Sequence, residues 1–200
     1  MFYFNPGQLD QRVNVLELQQ TGITYSWAEK RTTYASAEFQ NKTNLFSQVG
    51  IGVKSVKFTV RKQDLSLFNA FRWQGAFHFL TDISEVNRMY YEVTAARIEP
   101  KTCKVTRISI TKNELKNPVK GKNEIMTFPG CLVEKYMGYA QQKPQAVSDM
   151  QYVLVTPKVI ELKLADLVEI EGNSYNVQIA HTLDQYKNEY EIAVQKDVGK

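Results

Sequence analysis

Apolar and polar positions alternate with period two through most of the chain. Val56, Phe58 and Val60 fall on one face of an extended segment, with Lys57, Thr59 and Arg61 on the other. Phe77 and Phe79 alternate with Ala76 and His78, and Tyr91, Val93 and Ala95 with Glu92, Thr94 and Ala96. The second half repeats the rhythm at Ile108 and Ile110, at Ile160, Leu162 and Leu164, and at Val168 and Ile170. It continues at Tyr175, Val177 and Ile179 and ends at Tyr190, Ile192 and Val194. Each run predicts a half-buried strand. No segment carries a helical stripe over three turns, and Asp64–Phe71 has room for one or two turns only. The pattern predicts a mainly β protein of short antiparallel strands with little helix.

Gly75 in Trp73–Ala76 and Gly172 in Ile170–Asn173 each separate two alternating runs and predict hairpin turns. Around them the chain repeats itself. FTVRKQD, FRWQGAFHFL and YYEVTA in the first half correspond to YVLVTPK, DLVEIEGNSYNVQI and EYEIAV in the second. Upstream, Arg12–Val15 matches Arg107–Ile110, and Thr33–Phe39 matches Thr127–Tyr136. The expected organisation is two tandem small antiparallel barrel or sandwich units of about 100 residues each, 1–100 and 101–200, meeting near Pro100. A long polar loop is expected before the third strand of each copy, Gln40–Ser55 in the first and Gly138–Asp149 in the second.

Composition narrows the function. Each half carries a net charge of +2, for +4 in all, too little to drive tight binding by phosphate neutralisation. No apolar run approaches the ~18 residues of a membrane-spanning helix, and Met1–Pro6 lacks the basic start of a secretory signal. A soluble intracellular product without a membrane partner is the expectation. Cys103 and Cys131 have neither disulfide-framework nor zinc-site spacing and read as buried thiols in a reducing compartment. His78 on a strand and His181 in a loop have no nucleophile arrangement around them. Glu169 with Glu171, and Glu189 with Glu191, alternate with apolar residues and are expected to face solvent. Lys112, Lys116, Lys120 and Lys122 are interleaved with Glu114 and Glu124 and read as a solvated loop. No catalytic, cofactor-binding or metal-ligating set emerges, so an enzyme is not expected and no cofactor is implied.

The segment Pro6–Val13 (PGQLDQRV) resembles the opening of phage head–tail joining proteins, also called head-closure or stopper proteins. The likeness continues in order through Gly22 and Trp27, Tyr34–Glu38 (YASAE), Phe58–Arg61 (FTVR), and the hairpin and last strand of Trp73–Glu99, covering residues 5–99. Arg61-Lys62 stands where the family usually has an Arg-Tyr pair, and Trp73 where it has a smaller residue. Leu164–Ile192 is similar to small minor capsid or neck proteins of phages of Gram-positive hosts, which are thought to share the same β-barrel. The resemblance implies a homo-oligomeric ring of six or twelve copies in the virion neck, assembled in the host cytoplasm. A portal or adaptor protein would lie above it and a tail-completion or tail-tube protein below. Double-stranded DNA would pass through without tight binding. By position, a channel or stopper loop would contain Lys42, Asn44, Phe46, Gln48, Gly50, Gly52 and Lys54. A competing reading is a tandem OB-like protein that binds single-stranded nucleic acid through Arg61, Arg72, Trp73, Phe77 and Phe79 on one sheet.

Overall fold

The computed structural model describes residues 6–43, 53–112, 118–134 and 151–195. Among them the only helical turn is a 3-10 turn at Pro6–Gln8, and the rest is strands and connections. Two compact units divide the chain: Met1–Gln19 with Trp27–Pro100, and Gln20–Ser26 with Lys101–Lys200. The mainly β expectation holds.

In the first unit the strands are β1 (Gln11–Thr21), β2 (Thr24–Thr43), β3 (Val53–Arg61), β4 (Ala70–Trp73), β5 (Ala76–Val86) and β6 (Tyr90–Ile98). They pair in the order β1-β4-β5-β6-β3-β2, and β2 pairs back onto β1, so the ladder closes on itself. The second unit has β7 (Lys101–Lys112), β8 (Pro118–Glu134), β9 (Gln151–Pro157), β10 (Leu167–Ile170), β11 (Asn173–His181) and β12 (Lys187–Val194). Their order is β8-β7-β10-β11-β12-β9, and β9 pairs back onto β8. Adding six to each strand number of the first cycle gives the second. The tip segment Gln20–Ser26 joins the second cycle, with Thr24 parallel to Thr127 and the Thr127 amide donating to Ile23 O at 2.9 Å.

Each cycle has its own core. Val13, Val15, Val56, Phe58, Val60, Phe71, Trp73, Leu80 and Val93 fill the first. Phe58 meets Phe71 and Trp73 edge to face, with centroids 5.4 and 5.5 Å apart. Each such pair contributes roughly 0.5–1.5 kcal/mol beyond its buried area. Cys103, Val105, Phe128, Leu154, Ile160, Val168, Ile170, Tyr190 and Ile192 fill the second.

The two glycine turns form as the sequence predicts. Gln74 (φ 50°) with Gly75 (φ 76°), and Glu171 (φ 50°) with Gly172 (φ 82°), are paired left-handed residues of the kind that match hairpin twist. The upstream match, however, is five residues out of step. Val15 opposes Phe71 and Val105 opposes Val168, so Val15 corresponds to Val105 and Val13 to Cys103, not to the Arg107–Ile110 segment.

Two further expectations fail at the same place in the two copies. Asp64–Phe71 contains no helix, and Ile160–Leu164 is not a strand. Both are irregular connections closed by a side-chain acceptor. The Ser66 amide donates to Asn69 Oδ1 at 3.0 Å, and the Lys163 amide to Asp166 Oδ2 at 2.8 Å. Ile160 and Leu162 do not need a ladder, because side chains serve their backbone. Asn188 Nδ2 and the Tyr190 hydroxyl both donate to Ile160 O at 2.9 Å, and the Leu162 amide donates to the Tyr190 oxygen.

Strand boundaries also revise the loops. β2 runs to Thr43 and β3 starts at Val53, with Gln40 opposite Ser55, so both ends of Gln40–Ser55 are strand. Lys42 and Lys54 therefore lie in strands, while Asn44, Phe46, Gln48, Gly50 and Gly52 lie outside the described residues, as does Gly138–Asp149. The lysine-rich stretch is largely a hairpin, with Lys112 in β7 opposite Pro118, and Lys120 and Lys122 in β8; Lys116 lies outside the described residues.

Candidate interaction surface

Alternation on β2, β3 and β6 decides what this side of the first unit shows to solvent. Ala35, Val56, Phe58, Val60, Val93 and Ala95 are buried in the core. Their neighbours in sequence therefore point outward. Register lines these up as Ser36–Thr59–Glu92 and Glu38–Lys57–Thr94, with Arg61 beside Tyr90. Lys57 Nζ lies 2.7 Å from Glu92 Oε1. One cleft of about 460 Å³ is lined by Glu38, Lys57, Thr59, Val86, Asn87, Tyr90 and Glu92. A second, of about 420 Å³, is lined by Leu9, Thr32, Thr33, Tyr34 and Arg61.

The second cleft combines donors with apolar surface. Thr33 Oγ1 accepts from Gln63 Nε2 at 3.1 Å and keeps its own proton to give. Gln63 is held in turn by Arg31 Nε at 2.9 Å. Tyr34 is 56% exposed. Arg61 is exposed, and its guanidinium makes no hydrogen bond or ion pair with any described residue. Its neighbour Lys62 differs. Its ammonium lies 2.6 Å from Glu85 Oε2, a hydrogen bond that raises its pKa, and 5.8 Å from the Tyr91 ring centroid.

The five residues of the nucleic-acid reading do not share one exposed face. Trp73 points to the core from the side of β4 opposite Arg72, among Phe58, Phe71 and His78. Phe79 is buried with Trp27 against it, centroids 6.0 Å apart. Arg72 and Phe77 do meet, with the guanidinium 4.6 Å from the ring centroid. Of the five, Arg61 alone is exposed.

Groups that could carry chemistry are mostly engaged in structure. Among the described residues no cluster of three His, Cys, Asp or Glu could hold a metal ion. Cys103 and Cys131 are buried thiols outside any disulfide, and burial pushes the Cys103 pKa up to about 12. His78 is buried, with Nδ1 3.2 Å from Ala76 O, and its pKa falls to about 4 through burial. Glu169 and Glu171 face solvent as expected. Glu189 and Glu191 do not. Each is 7% exposed, and Glu191 Oε1 lies 3.0 Å from His181 Nε2.

Sequence reasoning singled out Arg61 but missed Leu9, Thr32, Thr33 and Tyr34 around it. The signal was present in YASA, where Ala35 and Ala37 turn inward and leave Tyr34 in phase with Arg61. Comparison with family models, curated proteins and solved structures finds no match.

Proposed function

We propose that this chain is a structural protein of a tailed-phage neck. It would be a head-closure or head–tail connector subunit that rings the exit below the portal and helps retain packaged DNA. The carrying observation is the duplicated strand cycle, in which the longest connection falls between the second and third strands of each copy: β2 to β3 and β8 to β9. That layout suits a ring subunit, with rigid modules for lateral packing and one long segment per module placed alike. The sequence resemblance over residues 5–99 supports the same reading. Ion-paired outer faces suit a wall along which DNA moves without sticking.

Support for the OB-like alternative is reduced by the burial of Trp73 and Phe79, since a stacking platform needs exposed rings. Mass spectrometry of purified virions, with labelling of the head–tail junction, tests the neck reading. The protein is expected at the junction, and particles lacking it are expected to leak DNA. Absence from virions would refute it.

A further inference from the structure

We infer that copies of this chain associate head to tail, with the β11–β12 loop of one copy seated in the Arg61 cleft of the next. This inference rests on the ring reading above and names the contact that would build the ring.

The loop Thr182–Tyr186 carries Leu183, the most exposed large apolar side chain among the described residues at 102%. The loop is held from several directions. Lys158 Nζ donates to Thr182 O at 2.7 Å and to Asp184 O at 2.6 Å. The Asp184 carboxylate accepts at Oδ1 from the Tyr186 amide at 2.7 Å and the Lys187 amide at 2.8 Å. The Lys158 amide donates to Tyr186 O at 3.0 Å. A leucine presented on a braced loop loses little conformational freedom on docking, which favours association. Asp184 Oδ2 has no hydrogen-bond partner among the described residues, so an exposed carboxylate oxygen sits beside the exposed leucine.

The cleft supplies the complement. Its described lining contains no carboxylate, although Glu29 Oε1 accepts from the lining Thr32 Oγ1 at 3.2 Å: Arg61, Thr33 and Tyr34 present donors, and Leu9 and the Tyr34 ring present apolar surface. A guanidinium fork without a partner among the described residues matches a carboxylate. Leucine and carboxylate on one copy thus meet apolar surface and cation on another. The two patches lie on different parts of the chain, so the contact is heterologous, the type that propagates around a ring.

Chemical cross-linking of the full chain decides the matter. Tyr34→Cys and Leu183→Cys are prepared separately, both at exposed positions, then mixed and treated with a short bis-maleimide. Cys103 and Cys131 are buried and stay silent. The inference requires a cross-linked dimer in the mixture and none in either variant alone, with the yield reduced about tenfold when Arg61→Glu is added to the Tyr34→Cys chain. A mixture of Glu169→Cys with Leu183→Cys should give no product. Absence of product in the first mixture, equal product from the Glu169→Cys control, or product from Leu183→Cys alone each overturns the contact. These results leave the neck reading to the virion experiment, where absence from particles would remove that reading even if the contact formed.

Discussion

Gly130 has no room for a side chain. A Cβ there would lie 2.8 Å from Leu154 Cδ1 and 2.9 Å from Cys103 Sγ, both in the second core. Gly130→Ala should therefore cost about 1–3 kcal/mol, read as a lower denaturant midpoint at unchanged slope. His78 sets a pH dependence in the first unit. Its folded pKa, about 4, lies below its ordinary value of 6.5, because burial among Phe58 and Trp73 disfavours the charged ring. Arg97, opposite it on β6, acts in the same direction. Between these two values the unfolded chain holds more protons than the folded one, so stability is full above about pH 6.5 and falls as pH drops toward 4. The loss reaches at most about 3 kcal/mol. Denaturant titrations at pH 7, 5.5 and 4.5 should show that slope, and His78→Gln should flatten it. Sequence marked His78 as a strand residue but not as buried, because aromatic neighbours on both sides hid which face was inner.

The connection before β4 and β10 shows where a single sequence misleads. DLSLFNAFRWQG and ELKLADLVEIEG align without a gap, yet periodicity suggested helix for the first and strand for the second. Both are the same irregular brace, set by Asn69 and Asp166 immediately ahead of a short strand. Asn69 Nδ2 anchors to Leu16 O on β1 at 3.2 Å, and Asp166 takes both ends of the Arg107 guanidinium from β7 at 2.7 Å. Alternation of leucines reads alike whether ladder bonds or side-chain caps satisfy the backbone, so the pattern could not tell them apart. Arg107→Leu should cost about 2–4 kcal/mol, because it leaves a carboxylate that is 2% exposed without its charge partner. Adding Asp166→Asn, the residue type of the first copy, should recover much of that loss in a double-mutant cycle. The hairpin turns were legible because glycine announces them, although the left-handed Gln74 beside Gly75 was not. Gln74→Asn should stabilise by roughly 0.5–1 kcal/mol in thermal unfolding.

Over the whole molecule, duplication was visible from the sequence where the turns fall and misregistered where only alternation guided the match. Alternation repeats every two residues and fixes register poorly without a turn nearby. Charge tells a similar story. Lys30, Lys57, Lys62, Lys101 and Arg107, five of the 25 basic residues, each have a carboxylate within 3.4 Å, and the remaining basic charge is nearly balanced by acidic residues, for a net +4. Double-stranded DNA binding should accordingly be weak, with a shallow salt dependence equivalent to no more than about three phosphates. A steep slope in a fluorescence titration would contradict this expectation. The closed strand cycles carry one more consequence. Each described strand has a neighbour on both sides, so among the described residues no strand lies at an outer edge of its cycle on which a stray chain could template. Copies crowded together are thereby denied the commonest template for fibril growth. Any joint between them must be written in side chains and loops, where a single substitution can retune or abolish it.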